Sequence, residues 1–185
     1  MDGEVHESLK KKFPDILTLI VPRHPKRGDD ITEKLRASGL GVAQRSQNEP
    51  LDSKTDIYLA DTLGEMGLFY YIAPIVVMGG SFIEHGGQNP IEPTHLDCAI
   101  LYGPHMFNFK EICAELEEAQ AAKPLENKEA LITALTNLLT DKKALEQQQV
   151  NAKAVGERNL AVIDKILDAI EPALEKGLSH HKEAA

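Results

Sequence analysis

Short apolar segments alternate with helical segments along the chain, and this alternation constrains the fold more than any other feature. A continuous apolar run bounded by turn residues is typical of a parallel strand buried on both faces. Strands are predicted at Ile16–Val21, near Val42–Arg45, and at Asp56–Ala60, Ile75–Met78 and Ala99–Tyr102. Strands separated by helices predict an α/β domain with a Rossmann-like parallel sheet flanked by helices.

Length and charge narrow the function classes. The chain has 185 residues, a length that fits one domain. Its net charge of −9 argues against nucleic acid as a partner, since binding to a phosphate backbone needs a basic protein surface. From about residue 126 the sequence predicts a helical C-terminal segment of that same domain. No apolar run approaches the ~20 residues that cross a bilayer.

Cysteines and histidines give no sign of a metal or redox site. Cys98 and Cys113 form no CxxC pair, and the seven histidines lack ligand spacing. We therefore expect two buried thiols, no metal and no cofactor. Neither GxSxG nor a local Cys–His signature occurs, so covalent hydrolysis is not indicated.

Three segments that follow strands are candidates for ligand binding, because ligands of open parallel sheets bind at the carboxyl ends of the strands. The segments are Pro22–Arg27, Asp61–Glu65 and Gly79–Glu92. In the first, Arg23 stands in a proline-rich turn and its planar fork suits phosphate. The plainer interpretation of this segment is a solvated basic turn.

The second segment contains Gly64, which lets a ligand approach the backbone, and Glu65, which could accept hydrogen bonds from a base or sugar. The alternative is a helix-capping arrangement. Helix starts are also predicted elsewhere, with Asp29 or Asp30 as one N-cap and Asn89 as another, followed by Pro90.

The third segment is the most specific of the three. Gly79 and Gly80 can cradle an anion with backbone donors, and Ser81 is a further phosphate candidate. Glu92 lies in a first helical turn, where it could hold two ribose hydroxyls or act only as a helix-start carboxylate. Neither GxxxxGK[ST] nor GxGxxG occurs, so standard ATP and dinucleotide motifs are not indicated.

Four motifs together resemble a known family. PRHPKR, DTLGEMG, GGSFIEHGGQNPIEP and GPHMFNFKEI occur in this order, as in 3-deoxy-D-manno-octulosonic acid (Kdo) transferases of lipid A assembly. The resemblance runs from about Pro14 to Glu118 and continues more weakly through the C-terminal helices. It covers only the C-terminal half of the family's two-domain GT-B glycosyltransferase architecture.

The resemblance implies that this half binds the sugar donor CMP-Kdo. Positions that match the family's CMP contacts are Pro22, Arg23, Leu63, Gly64, Glu65, Asn89, Pro90, Ile91 and Glu92. The full enzyme would transfer Kdo to a lipid A precursor at the cytoplasmic face of the bacterial inner membrane, in lipopolysaccharide biosynthesis. Its N-terminal half would carry the acceptor site, the membrane contact and the general base. No catalytic residue is therefore expected here, and the fragment alone should be soluble and inactive.

Two departures and two alternatives accompany the resemblance. The family has a strand before the position of Asp2 that this sequence lacks, so the sheet is expected to lack its first, central strand. Gln88 stands where some relatives carry His. The alternatives are a UDP-sugar-dependent GT-B transferase or epimerase, and a non-enzymatic interaction module whose helical tail docks a partner.

Overall fold

The computed structural model describes residues 2–183, with the side chains of residues 3–161, 170 and 171. Helices and strands alternate through most of this range. In chain order they are α1 (Asp2–Lys10), β1 (Thr18–Ile20), α2 (Gly28–Ala37), β2 (Val42–Gln44), β3 (Ile57–Leu59), α3 (Met66–Ile72), β4 (Ile75–Val77), α4 (Ile91–Thr94), β5 (Ala99–Leu101), α5 (Lys110–Glu118), α6 (Lys128–Thr140) and α7 (Lys142–Glu183).

The five predicted strands are confirmed, each shortened to three residues. The predicted N-caps are wrong by two or three positions for α2 and by one position for α4. The N-cap of α2 is Arg27, so Asp29 and Asp30 lie in the first helical turn, where the helix dipole favours carboxylates. The N-cap of α4 is Pro90; Asn89 precedes it and accepts a hydrogen bond from the Ile91 amide at 3.1 Å.

The strands form two parallel sheets rather than one. One sheet has the order β1-β3-β2 and the other pairs β4 with β5. Within residues 2–183, no strand of the first sheet pairs with a strand of the second. Ile16, just before β1, and Ile75, at the start of β4, pack in one apolar cluster that spans this break.

Apolar side chains cover both faces of β5, which explains its continuous apolar sequence. Along β5, Ile100 packs on one face against Ile112 and Leu116 of α5 and Val155 of α7. The neighbouring Ala99 and Leu101 pack on the other face, against α1 and α6. The alternation follows the two-residue period of a strand. The result is a three-layer α/β arrangement.

Candidate functional site

The loops after β1, β2 and β3 leave the same edge of the first sheet, because these strands are parallel. Arg23 therefore lies near the same edge as the turn Leu63–Glu65. Arg23, Leu63 and Gly64 are exposed, and Leu63 exposes 82% of its surface. This edge offers a cation, an apolar side chain and open backbone to a ligand.

A hydrogen bond joins the first and third candidate segments across the break between the sheets. Nη1 of Arg23 donates to Oε1 of Gln88 at 2.5 Å, over 65 positions of sequence. Gln88 lies in the loop that leads into α4. The structure thus brings Pro22–Arg27 and Gly79–Glu92 together, as the rule for parallel sheets predicts.

Glu65 is already bound to two residues of this chain. Its carboxylate accepts from Nε of Arg45 at 3.2 Å and from Nη2 of Arg45 at 2.8 Å, and the Thr62 hydroxyl donates to the same carboxylate. Arg45, followed by Thr62, lowers the pKa of Glu65 to about 2. Sequence reasoning placed Glu65 in the site but missed Arg45, because the two residues lie on different loops.

A buried hydrogen-bond network holds Asp61, the first residue of the segment that contains this turn. Gln44 donates from Nε2 to Oδ2 of Asp61 at 2.7 Å, and Ser46 donates its amide to Oδ1 at 2.9 Å. Burial raises the pKa of Asp61, but the hydrogen bonds from Gln44 and Ser46 outweigh it, so the net pKa is lowered. Gly28 starts α2 directly against this carboxylate, and a Cβ there would meet Oδ2 at 2.0 Å.

Ser81 is not available to a phosphate. Its side chain is fully buried. Its hydroxyl donates to the Met78 carbonyl at 2.6 Å and accepts from the Gly103 amide at 2.8 Å. The serine therefore joins the ends of β4 and β5, and the sequence-based assignment of a phosphate contact to this side chain is wrong.

Some residues at the start of α4 are buried in the protein core, and others are exposed to solvent. Pro90 is fully buried, and Ile91 packs against the core beside α5 and α7. The Asn89 side chain is partly buried and holds the loop, whereas Glu92 is exposed. Pro90 therefore offers almost no surface to a ligand, whereas the Glu92 carboxylate is exposed to solvent.

Packing between α3 and α4 joins the second segment to the third. Tyr70 lies on α3, the helix that begins after Glu65. Burial, followed by the charges of Glu92 and Cys98, raises the pKa of Tyr70 to about 12. The packing of α3 against α4 thus connects the helix that follows Glu65 to the helix that carries Glu92.

Helix α7 packs closely against α4 at Gly156. A Cβ at this glycine would meet Oγ1 of Thr94 at 2.3 Å and Nδ1 of His95 at 2.9 Å. Sequence reasoning missed this contact, since Gly156 looks like an ordinary glycine within a helical pattern.

The described part of the chain contains neither a metal cluster nor a membrane span. No three His, Cys, Asp or Glu side chains there are grouped to hold a metal ion. None of the helices described is both long and apolar enough to traverse a bilayer.

Comparison with known proteins finds relatives that carry the same enzyme name. No family model matches the chain. A 3-deoxy-D-manno-octulosonic acid transferase of Haemophilus influenzae is 34% identical over 174 residues, which is 94% of this chain and 41% of that protein. A probable mitochondrial 3-deoxy-D-manno-octulosonic acid transferase of Arabidopsis thaliana is 43% identical over 72% of this chain and 32% of its own length. The chain thus spans less than half of these relatives.

A solved structure matches the fold. The crystal structure of the C-terminal CMP-Kdo binding domain of WaaA from Acinetobacter baumannii superposes with a TM-score of 0.77. Its sequence identity is 29%, and the match covers 82% of this chain and 79% of that domain. The expected fold, the C-terminal domain of a GT-B glycosyltransferase, is confirmed.

Proposed function

We propose that the chain is the donor-binding half of a glycosyltransferase and binds CMP-Kdo, because it is similar to 3-deoxy-D-manno-octulosonic acid transferases over 72–94% of its length. The observation that carries the proposal is the match to a CMP-Kdo binding domain over 82% of the chain. Residues 1–185 then act as one domain, in which α6 and α7 support the sheet that carries the site.

The proposed CMP contacts lie on the three loops that converge at the sheet edge. The Arg23 guanidinium neutralises the phosphate, because it is exposed and its fork matches phosphate oxygens. The exposed Glu92 carboxylate accepts hydrogen bonds from the two ribose hydroxyls. Leu63 and Gly64 line the cytosine or its sugar, and Glu65 holds their turn.

The remaining contacts come from the loop before α4 and from the turn after β1. Pro22 keeps the chain extended ahead of Arg23. Asn89, Pro90 and Ile91 are assigned to the site as the loop that positions Glu92 beside the nucleotide, since Asn89 accepts from the Ile91 amide and Pro90 and Ile91 pack in the core. No catalytic residue and no metal ion is assigned to this half.

In the whole enzyme, we propose that Kdo passes from CMP-Kdo to a hydroxyl of a lipid A precursor, with inversion at the anomeric carbon. The acceptor site, the general base and the membrane contact would belong to an N-terminal half. The enzyme would act at the cytoplasmic face of the bacterial inner membrane, in lipopolysaccharide biosynthesis. The chain by itself would bind the donor without turnover.

Nuclear magnetic resonance tests the donor-binding proposal directly. The 185-residue chain, labelled with ¹⁵N, is titrated with CMP and, separately, with UMP. We expect CMP to shift the amide signals of Arg23, Gly64 and Glu92, and UMP to bind more weakly, because cytosine offers an amino donor where uracil offers a carbonyl. Saturating CMP that leaves all three signals unmoved contradicts the proposal. A preference for UMP favours a UDP-sugar enzyme instead.

Matched variants separate specific contacts from overall charge. Arg23→Gln should weaken CMP binding more than Lys34→Gln, which removes a charge from the last turn of α2, away from the site. Glu92→Gln should weaken binding more than Glu118→Gln at the end of α5. Equal losses within the first pair would show that Arg23 does not touch the nucleotide, and equal losses within the second pair would show the same for Glu92.

A further inference from the structure

The Leu63–Glu65 turn is held from the side by Arg45, a residue just beyond β2. Two guanidinium nitrogens of Arg45 donate to the two carboxylate oxygens of Glu65. This bidentate geometry is the strongest form of an arginine–carboxylate pair. With the Thr62 hydroxyl on Oε2 as well, neither oxygen of Glu65 is without a partner from this chain.

The backbone around Arg45 is itself anchored on both sides. The Arg45 amide donates to the Leu59 carbonyl at 2.9 Å, which extends the pairing of β2 with β3. The next residue, Ser46, donates its amide and its hydroxyl to the buried Asp61, at 2.9 and 2.7 Å. The backbone that carries Arg45 is therefore fixed in place, and the bidentate pair with Glu65 holds the other end of the side chain.

The turn that results presents its tip, not its carboxylate, to a ligand. Leu63 exposes 82% of its surface. Gly64 has φ +83°, a left-handed conformation that favours glycine, and no atom lies within 4 Å of its Cβ position. The closure of Glu65 onto Arg45 and Thr62 therefore fixes where the apolar side chain and the open backbone point.

We propose that Arg45 is a positioning residue for the donor nucleotide, which acts through Glu65 to hold Leu63 and Gly64 in their binding geometry. The inference deepens the proposed function and rests on it. A preformed turn avoids the entropy that ordering it on binding would cost, so loss of the fork should lower affinity without removing any direct contact.

A direct contact of Arg45 with the nucleotide is the rival role, and the structure suggests how to distinguish it. Arg45 exposes 39% of its side chain, and within the described residues its Nη1 has no hydrogen-bond partner. If Arg45 bound phosphate through Nη1, its loss would weaken binding whether or not Glu65 could form the pair. If it acts through Glu65, its loss should matter only while Glu65 is a carboxylate.

The experiment measures CMP affinity by calorimetry for the unchanged chain, Arg45→Gln, Arg45→Lys, Glu65→Gln and the Arg45→Gln/Glu65→Gln double variant. Arg36→Gln is the matched control. Arg36 pairs with Glu49 at 2.6 Å and similar exposure, but it also donates to the carbonyl of Val42, at the opposite end of β2. Thr62→Val provides a milder perturbation of the same carboxylate. Thermal melts verify that each variant is folded.

We expect Arg45→Gln to weaken CMP binding about tenfold, since one charge-assisted bidentate pair is lost. Arg45→Lys should weaken it as much, because an ammonium lacks the planar fork. Arg36→Gln should stay within about twofold, since an exposed pair remote from the ligand contributes little. Arg45→Gln should cause no further loss in the Glu65→Gln background, and Thr62→Val should cause a smaller loss in the same direction.

The other possible outcomes would overturn either the role of Arg45 or the proposed function. Full affinity in Arg45→Lys would show that charge alone matters and overturns the inference. So does an undiminished loss in the Glu65→Gln background, which indicates direct contact, or a loss equal to that of Arg36→Gln. Failure of the unchanged chain to bind CMP overturns the proposed function itself, and the role of Arg45 in nucleotide binding with it.

Discussion

Gly156 allows α7 to pack closely against α4, the helix that carries Glu92. Adding one methyl group at this position should therefore displace α4 and disturb the candidate site. In Gly156→Ala the new Cβ would lie 2.3 Å from Oγ1 of Thr94 and 2.9 Å from Nδ1 of His95, whereas ordinary contacts begin at 3.4 Å. Thr94 is fully buried and its hydroxyl donates to the Ile91 carbonyl at 2.5 Å. The clash therefore reaches the start of α4.

Two opposing effects set the magnitude. Forcing a methyl group into a packed position costs about 1–3 kcal/mol. Replacing a glycine inside a helix by alanine contributes about 1 kcal/mol of helix propensity in the other direction. We expect a net loss of up to about 2 kcal/mol in the free energy of unfolding, or ~2–4 °C in Tm per kcal/mol for a chain of this size.

Gly67→Ala is the matched control, because it makes the same change in a helix with no atom within 4 Å of the new Cβ. Urea unfolding, followed by circular dichroism, should show Gly67→Ala at least as stable as the unchanged chain. Gly156→Ala should be less stable than Gly67→Ala by about 1–3 kcal/mol, the overpacking cost alone. Calorimetry should also show weaker CMP binding for Gly156→Ala, since α4 carries Glu92.

Equal stability of the two alanine variants would refute the reasoning, because the steric cost would then be absent. Reduced stability with unchanged CMP affinity would refute its second step, the transmission of the clash to the proposed ribose contact.

Three further predictions concern pH, a buried hydroxyl and a thiol. The folded pKa of Glu65, about 2, lies below its ordinary value of 4.5, so its carboxylate stabilises the fold above about pH 4.5 and loses this effect as the pH falls toward 2. Glu65→Gln should therefore lower Tm at pH 7, and the difference from the unchanged chain should shrink between pH 5 and 3; a constant difference contradicts the assignment. Ser81→Ala leaves the buried Gly103 amide without its acceptor and should cost about 1–3 kcal/mol in urea unfolding, with unchanged CMP affinity in the folded protein; weaker binding at full stability would show that the hydroxyl reaches the ligand. Burial, followed by the charge of Asp97, raises the pKa of the Cys98 thiol to about 11, so a thiol reagent at pH 7.5 should label Cys98 only when the chain is unfolded, and rapid labelling of the folded chain, located by mass spectrometry, would disprove its burial.

Local sequence determined the secondary structure because its signals are short-range. Runs such as Ala99–Tyr102 are apolar at consecutive positions, since both faces of β5 are covered. The caps were less predictable. Asp29 was a plausible N-cap by residue type, but its carboxylate accepts from Gln44 at 2.9 Å, a partner that sequence does not reveal.

The sequence likewise predicted one part of the candidate site and missed another. The parallel-sheet rule placed three loops at one edge, and the Arg23–Gln88 hydrogen bond joins two of them. Residue type and position made Ser81 a further phosphate candidate, whereas packing between β4 and β5 buries it. A hydroxyl serves a ligand or the protein according to what surrounds it, and sequence does not contain those surroundings.

By itself, the sequence determined the α/β fold, the order of its elements and the loops of the candidate site. Only the tertiary structure decided how the side chains on those loops are used. It paired Arg45 with Glu65 over 20 positions, buried Ser81, and set Gly156 against Thr94 over an even longer separation. The physical reason is one of range: periodicity and turn chemistry act between near neighbours, whereas hydrogen-bond partners and steric contacts depend on distances that exist only after the chain has folded.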